Sequence, residues 1–540
     1  MKLCMYSLVL LAGTTQLASA ADFAGNWRLS VPIQGQRESF DLNMLFMFSE
    51  VDGKWIADFL DTVPVIKIEA KTSIVIREQQ ISLDITFGPN RWKFEGKMAD
   101  DGKMIKGTLD QDGSLILLDL KPTKLKSLSK DLFQFQKELL DSSATDQEFF
   151  GNLFLVLDGA EKNKMTEADV RAYVEKAMKR AEAYGTKWQE TISLRIAERL
   201  IGQQAFIAIA VEQAKLPERL LTRDDTLLKQ LTTLERIAQI FENKRDAEFK
   251  EYMAKVARLE PRVYADYLRN QFPFQPEAYA GRKAASNRVA VVELFTGSES
   301  EGSVGVDLAV TGLLQSYKPT ELLVLSYHVN IPGPDPLANA ETDERLNFYI
   351  IDQEKQNTPA IFINGKEELS GGGSAKLARA KYAAYKELID PWLEKPAEAK
   401  LAVAATGKGD DITIKVNYAD IAKPGEKIIL RFVVTEERVR FKAGNGQIYH
   451  HAVVRATPGG TKGFPLTEKT GEKSLAIKVS ELKANQIKAM DNLEARALRA
   501  GVNFKFSSRP LDFKNLQVVA LIQNDETKEI IQAAAVALPE

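Results

Sequence analysis

At 540 residues the chain is too long for a single hydrophobic core, and about three to five domains are expected. A net charge of −2, with 27% charged residues, leaves no cationic excess for nucleic acid or an anionic membrane surface. The apolar fraction, 44%, is that of an ordinary folded protein.

Residues 1–20 read as a secretory signal peptide. Lys2 gives a positive start, Leu8 to Leu11 is unbroken apolar sequence, and Ala18-Ser19-Ala20 is a small-residue cleavage pattern. Cleavage after Ala20 would remove Cys4, the only cysteine, so an exported mature chain would hold no disulfide. No later apolar run approaches the roughly 20 residues that span a bilayer, and no membrane span is expected.

Residues 21–122 read as a small antiparallel β-barrel or sandwich of about eight strands. Ile81, Leu83, Ile85 and Phe87 alternate with Ser82, Asp84 and Thr86, and Trp92, Phe94 and Gly96 alternate after the turn Gly88-Pro89-Asn90. Asp101-Gly102 and Asp112-Gly113 mark two more hairpins. Gly25-Asn26-Trp27 resembles the Gly-x-Trp opening of lipocalin-type barrels, which implies a cup for an apolar ligand. The other reading, favoured for small barrels, is an interior filled by Trp27, Phe46, Trp55, Phe59 and Trp92.

Residues 123–283 read as a helical domain, a bundle of about four to six helices. The lysine-rich start, to Lys137, reads as a solvated helix bridging two domains. Two apolar helical stripes, from Phe149 to Leu157 and from Val170 to Met178, flank the twelve residues 158–169. That arrangement resembles a degenerate EF-hand. Asp158 fills the first ligand position, but Ala160 and Lys162 fill the third and fifth, Asn163 replaces the glycine and Asp169 the bidentate glutamate. No metal is expected there, and Thr166 with Asp169 reads as a variant capping box. Further helices are expected over 186–213, from Thr222 with Asp224 and Asp225, and through Phe249, Tyr252, Met253 and Val256 up to Pro261. Residues 272–283 read as a proline-bearing linker.

Residues 284–398 carry the stretch that organises the chain. The apolar run 289–295 reads as a buried strand, the polar loop after it as a turn, and 306–314 as a helix. Residues 322–329 and 360–364 read as further buried strands, and 374–393 as a closing helix after the flexible Gly371-Gly372-Gly373. The run Val292-Glu293-Leu294-Phe295-Thr296 through Asp307 resembles a family of exported bacterial thioredoxin-like proteins of unknown function. His328-Val329, Asp335-Pro336, Arg345 and Tyr349 resemble it too, over roughly residues 286–398. In that family a Cys-x-x-Cys pair stands where this chain has Ser300-Glu301-Gly302-Ser303, and Thr358-Pro359 resembles the proline, usually cis, that faces the active-site loop. The resemblance implies a thioredoxin fold whose redox chemistry is gone, because a serine hydroxyl cannot form a disulfide.

Residues 399–540 read as a β-sandwich with a helix inserted over 479–499. Ile412, Ile414 and Val416 alternate, as do Ile429, Arg431 and Val433, and 518–522 with 529–533 makes a closing hairpin. His450 and His451 are adjacent on a strand and point to opposite faces, so neither a zinc nor a haem site is expected.

The fold expected is therefore multidomain α+β: barrel, helical bundle, thioredoxin-like α/β domain and β-sandwich. The function expected first is binding or scaffolding of a protein or peptide segment, with no cofactor. The vestigial loop Ser300, Glu301, Gly302, Ser303 and Pro359 would form the contact face, together with His328, Asp335 and Thr358. The second class is a carrier of an apolar molecule in the barrel. The third, an enzyme using Ser300, His328 or Asp335, is least supported, since no nucleophile–base spacing is visible.

Overall fold

The computed structural model describes residues 23–34, 39–66, 69–111, 113–367 and 371–539. The expected signal peptide and Asp112 lie outside the described residues. The chain divides into two compact units, Met1–Asp266 and Tyr267–Glu540.

The first unit opens with eight strands: β1 (Gly25–Gln34), β2 (Ser39–Val51), β3 (Lys54–Val63), β4 (Ala70–Arg77), β5 (Gln80–Phe87), β6 (Asn90–Met98), β7 (Ile105–Gln111) and β8 (Ser114–Thr123). The sheet runs β3-β2-β1-β8-β7-β6-β5-β4, each neighbour antiparallel. It curls into a nearly closed barrel, and a Thr72 hydroxyl donating to the Ala57 carbonyl links the two end strands. The alternation seen in the sequence puts Ile81, Leu83 and Ile85 in the interior, with Trp27, Phe46, Trp92 and Phe94. Phe94 lies over a glycine pair, Gly96 and Gly107, which face each other across β6 and β7. A Cβ on Gly107 would stand 2.6 Å from the Phe94 ring. The two glycines therefore make the space that the ring fills.

Seven helices follow: α1 (Leu132–Asp141), α2 (Asp146–Asp158), α3 (Glu167–Glu182), α4 (Thr186–Leu200), α5 (Ile207–Leu220), α6 (Leu227–Phe241) and α7 (Asp246–Asn270). They share one core through Phe149, Leu153, Leu157, Ile192, Ile196, Leu231 and Tyr252. That is more than the four to six helices expected. The stretch expected as one helix over 186–213 is two, α4 and α5, separated at Ile201 to Gln203 and a short turn of 3-10 helix. Thr226, not Thr222, caps α6, accepting the Lys229 amide. The helix α7 runs through Pro261, where termination was expected. The lysine-rich segment is also less solvated than expected. Leu125, Leu128 and Phe135 pack with Leu45 of β2 as a small buried cluster.

The second unit contains β9 (Ala290–Thr296), α8 (Val304–Ser316), β10 (Leu322–His328), α9 (Ala340–Tyr349), β11 (Ala360–Ile363), β12 (Lys366–Glu367) and α10 (Ala378–Leu393). It continues with β13 (Lys400–Lys408), β14 (Asp411–Ala419), β15 (Gly425–Arg440), β16 (Tyr449–Ala456), β17 (Phe464–Leu466), β18 (Gly471–Lys478), α11 (Val479–Arg499), β19 (Leu516–Asn524) and β20 (Ile530–Ala537). Strands from both sides of residue 398 lie in one nine-stranded sheet, β12-β11-β9-β10-β16-β15-β19-β20, with β17 on β15. β9 and β10 are parallel, β11 is antiparallel to β9, and β10 meets β16 in parallel at Ser326 and Val453.

Both β9 and β10 are buried along their whole length, as their continuous apolar runs require. One core joins Val292, Leu294 and Val324 to α8 and α10, and another joins Val291, Leu325 and Phe295 to Leu346, Val454 and Val519. A separate sheet, β13-β14-β18, shares a core with β15 and β19 through Ile414, Val416, Phe432 and Val518. Because β15 lies inside the large sheet, Arg431 is buried instead of facing water. Asp525 takes its guanidinium through two hydrogen bonds of 2.8 Å.

Candidate functional site

The C-terminal ends of β9 and β10 gather the residues singled out in the sequence. The loop after β9 passes through Ser298, Ser300 and a short 3-10 turn, Glu301–Ser303, into α8. Ser303 donates its hydroxyl to the Ser300 hydroxyl at 2.9 Å, and Ser300 in turn reaches the Thr358 carbonyl at 3.5 Å. The Thr358-Pro359 peptide is cis, and its segment faces the loop.

Two other segments close over this loop. Gly373 donates to the Gly302 carbonyl and accepts from the Gly305 amide, each at 2.7 Å. A Cβ on Gly305 would lie 2.7 Å from the Ser374 carbonyl, and one on Gly372 would lie 2.8 Å from that of Gly302. Only glycine allows the two backbones so close. From the other side, the Asn445 amide donates to the Ser298 carbonyl at 3.0 Å, and its side chain to the Gly297 and Ser300 carbonyls at 3.4 Å.

Deeper in, His328 at the end of β10 meets Asp335. Imidazole Nδ1 and carboxylate are 2.8 Å apart, and Asp335 also accepts the amides of Ser298 and Leu337. Burial pushes the Asp335 pKa up, but the His328 ring and these donors outweigh it and hold the carboxylate below its usual range. The His328 ring stands edge-on to that of His450 on β16, 5.2 Å between centroids. The Phe441 carbonyl, 3.1 Å from His450 Nε2, can only accept, so Nε2 carries the proton. Burial lowers the His450 pKa to about 3, keeping the ring neutral. His451 Nδ1 lies 3.1 Å from the Thr311 hydroxyl of α8, so the two adjacent histidines line one cavity where opposite faces were expected.

Asp307 on α8 receives Gln447 at 2.7 Å, and burial raises its pKa to about 6. These side chains line a polar cavity of about 10 Å3, the size of one water. No group of three or more His, Cys, Asp or Glu side chains is placed to hold a metal ion among the described residues.

Of the residues expected to contact a partner, Ser300, Ser303, His328, Asp335 and Thr358 are all buried; Ser300 is 5% exposed and Ser303 fully covered. Glu301 and Gly302 are exposed and Pro359 is half-buried. Ser300 makes its hydrogen bonds with Ser303 and Thr358, not with His328, so Ser300, His328 and Asp335 do not form a nucleophile–base chain. Sequence reasoning missed that all three histidines of the chain line one cavity. It also missed Asn445 and Gln447 as partners of the loop and of Asp307. The only signal available was the rarity of histidine, since these contacts cross more than 100 residues of chain.

No family model matches the chain, and no curated protein matches it. Among solved structures, HBP35 of Porphyromonas gingivalis is similar over 47% of this chain and 77% of its own, at 15% identity and a TM-score of 0.31.

The segment 158–169, whose sequence resembles a degenerate EF-hand, is a separate place. Asp158 is the last residue of α2, and Arg199 holds its carboxylate at 3.0 and 3.2 Å. Thr166 caps α3 by accepting the Asp169 amide, and the Asp169 carboxylate accepts the Thr166 hydroxyl. Among the described residues, no helix is long and apolar enough to cross a membrane.

Proposed function

We propose that this is an exported, redox-inactive thioredoxin-like protein that holds a protein segment without exchanging disulfides. The observation that carries the reading is the Ser300–Ser303 hydroxyl pair, 2.9 Å apart beside the cis Thr358-Pro359 peptide. Two hydroxyls stand where a dithiol would be needed, and they bond each other instead of a base. The strand order β12-β11-β9-β10, with β11 antiparallel to β9 and α8 and α10 on one face, supports the thioredoxin-like reading. The exposed rim is Glu301, Gly302 and Asn357, beside half-buried Pro359. An extended segment would lie along that rim, while His328, Asp335 and Thr358 keep the loop in shape from below. A carrier role for the barrel has less support, because Phe94 and its neighbours occupy the interior.

A photo-crosslinking residue at Asn357, in the chain expressed in its native cells, tests the reading. The expected result is one dominant protein adduct that disappears when the crosslinker is moved to the buried position Thr311. Absence of any adduct at Asn357 would remove the scaffold reading. Mass spectrometry of the same preparation should find the mature N-terminus at or near Ala21; an intact Met1 would remove the export.

A further inference from the structure

The first unit carries a groove that the function proposed above leaves unused. It runs between α2 and α4 and encloses about 860 Å3, within the range of small-molecule sites. Its floor is aromatic: Phe150, Phe154 and Trp188, with the Trp188 ring edge-on to Phe150 at 5.8 Å between centroids. Beside them Leu155 is 48% exposed and Tyr184 is 58% exposed. At Gly151, midway along α2, a side chain would meet nothing within 4 Å, so a missing side chain widens the groove at its centre. Phe150 and Phe154 also belong to the helical core, with Phe149, Leu153 and Leu157 beside them, and show only their edges to the groove. What the groove leaves to water is mainly Leu155 and Tyr184, with the edges of the aromatic floor.

The charges along the groove show what could cover it. Its two carboxylates are already matched: Asp146 by Arg180 and the Tyr184 hydroxyl, Asp158 by Arg199. Lys187 and Arg195 have no carboxylate partner among the described residues, and the Arg195 guanidinium lies 4.6 Å above the Phe154 ring. The unmatched charges of the lining are therefore both cationic, and Gln147 adds a neutral amide. A ligand that completes the site must be apolar along its body and carry a negative acceptor. The thirteen residues of α2 from Asp146 to Asp158 span about 18 Å, room for an extended acyl chain.

We propose that the α2–α4 groove binds a single-chain anionic amphiphile, its carboxylate at Arg195 and its hydrocarbon chain along Phe150, Phe154 and Trp188. A cationic amphiphile of equal chain length would face Lys187 and Arg195 unfavourably and bind more weakly.

Calorimetry of the full chain with dodecanoate and with dodecyltrimethylammonium, each below its micelle concentration, tests this. Dodecanoate should saturate one site, with the ammonium compound at least about tenfold weaker. Arg195→Glu should weaken dodecanoate by about tenfold or more while not weakening the ammonium compound. Gly151→Leu should fill the centre of the groove and weaken both by about tenfold or more. Since leucine is a better helix former and has open space there, circular dichroism should show an intact fold. Should that variant fail to fold, Arg195→Glu decides alone. No saturable binding of dodecanoate, equal affinity for the two head groups, or affinity unchanged by Arg195→Glu would each overturn the proposal.

Discussion

Arg345 on α9 holds Glu293 at the middle of β9 through two hydrogen bonds, of 2.8 and 2.9 Å, with both side chains shut off from water. Tyr349, one turn on, donates to the same carboxylate, and Gln523 of β19 accepts from the same guanidinium at 2.8 Å. Burial pulls the arginine pKa down, but the Glu293 charge beside it wins and holds the group ionised. A charge pair in the centre of a sheet ties α9, β9 and β19 together. Arg345→Met would leave Glu293 buried without a counter-charge, at a cost of about 3–5 kcal/mol. Combining it with Glu293→Leu should cost less than the sum of the two single changes, because the pair is removed together. Urea unfolding of the three variants measures this; additive losses would mean the pair is not coupled.

The barrel interior gives a second expectation. Gly107→Ala would push a methyl group into the Phe94 ring and against the Glu95 carbonyl across the ladder. Overpacking of this kind costs about 1–3 kcal/mol. A thermal melt of the variant should show the loss. An unchanged melting temperature would mean that the ring has empty space to move into, which would restore the case for a hollow barrel.

The loop of residues 158–169 should not bind calcium. Its first carboxylate is held by Arg199, Lys162 and Lys164 add positive charge, and Asp169 is engaged by Thr166. Calorimetry at millimolar calcium should give no saturable heat. A saturable site lost on Asp158→Ala would show that the carboxylate can leave Arg199 for the ion.

Much of the fold is legible locally because local patterns report which face is buried. The alternation Ile81, Leu83, Ile85 predicts inward and outward faces, and the apolar run from Ala290 predicts a strand covered on both sides. The inserted helix occupies Val479–Arg499 as its pattern predicts. Local propensity misleads where tertiary packing outweighs it. Pro261 costs about 3 kcal/mol in a helix interior. Yet α7 continues, with Leu259 and Val263 buried on either side of it. The joining of β10 to β16 carries no periodic signal, since it depends on chain 127 residues away. The site divides the same way. The serine pair and the proline can be read from one loop and one dipeptide. The Gly373 and Asn445 contacts that cover the loop are long-range, and they turn an expected open face into a largely buried one.

Acid should destabilise the second unit, through groups of opposite sign. His450 has a folded pKa of about 3, below the ordinary 6.5, so between these values the unfolded chain holds a proton that the folded one does not. Its contribution to stability is present above about 6.5 and is lost as pH falls towards 3. His451, also lowered to about 3, acts in the same direction. Asp307, raised to about 6, opposes them: its contribution is present below its ordinary 3.8 and is lost as pH rises through 6. Asp335, held low, adds a further loss only as pH falls below 3.8. Each proton of difference is worth about 1.4 kcal/mol per pH unit. Asp307→Asn, which keeps an acceptor for Gln447, should therefore steepen the acid dependence, and His450→Gln should flatten it. Hydrogen exchange of peptides covering β16 between pH 7 and 4.5 reads both slopes. A shallower slope in Asp307→Asn would contradict the assignment.

The serine pair allows the most direct trial of the organising loop. The Ser300 and Ser303 hydroxyls already meet at 2.9 Å at the start of α8, so the backbone holds the two Cβ atoms facing each other. Ser300→Cys with Ser303→Cys should form an intramolecular disulfide without unfolding the chain, since a dithiol bridge needs Cα atoms within about 4.4–6.8 Å. Both positions are buried, so oxidation should be slower than for an exposed pair, and Gly373 and Asn445 must give way for a reductant to enter. The first of the two cysteines faces the N-terminal end of α8, whose dipole favours a thiolate. Glu301 beside it disfavours the same charge. The restored pair is therefore expected to close into a disulfide but to reduce insulin poorly, and the wild-type chain not to reduce it at all. Mass spectrometry after mild oxidation and iodoacetamide treatment reads the first point. Two alkylated cysteines on folded protein would mean the loop does not hold these positions together, and the thioredoxin-like reading would go with it.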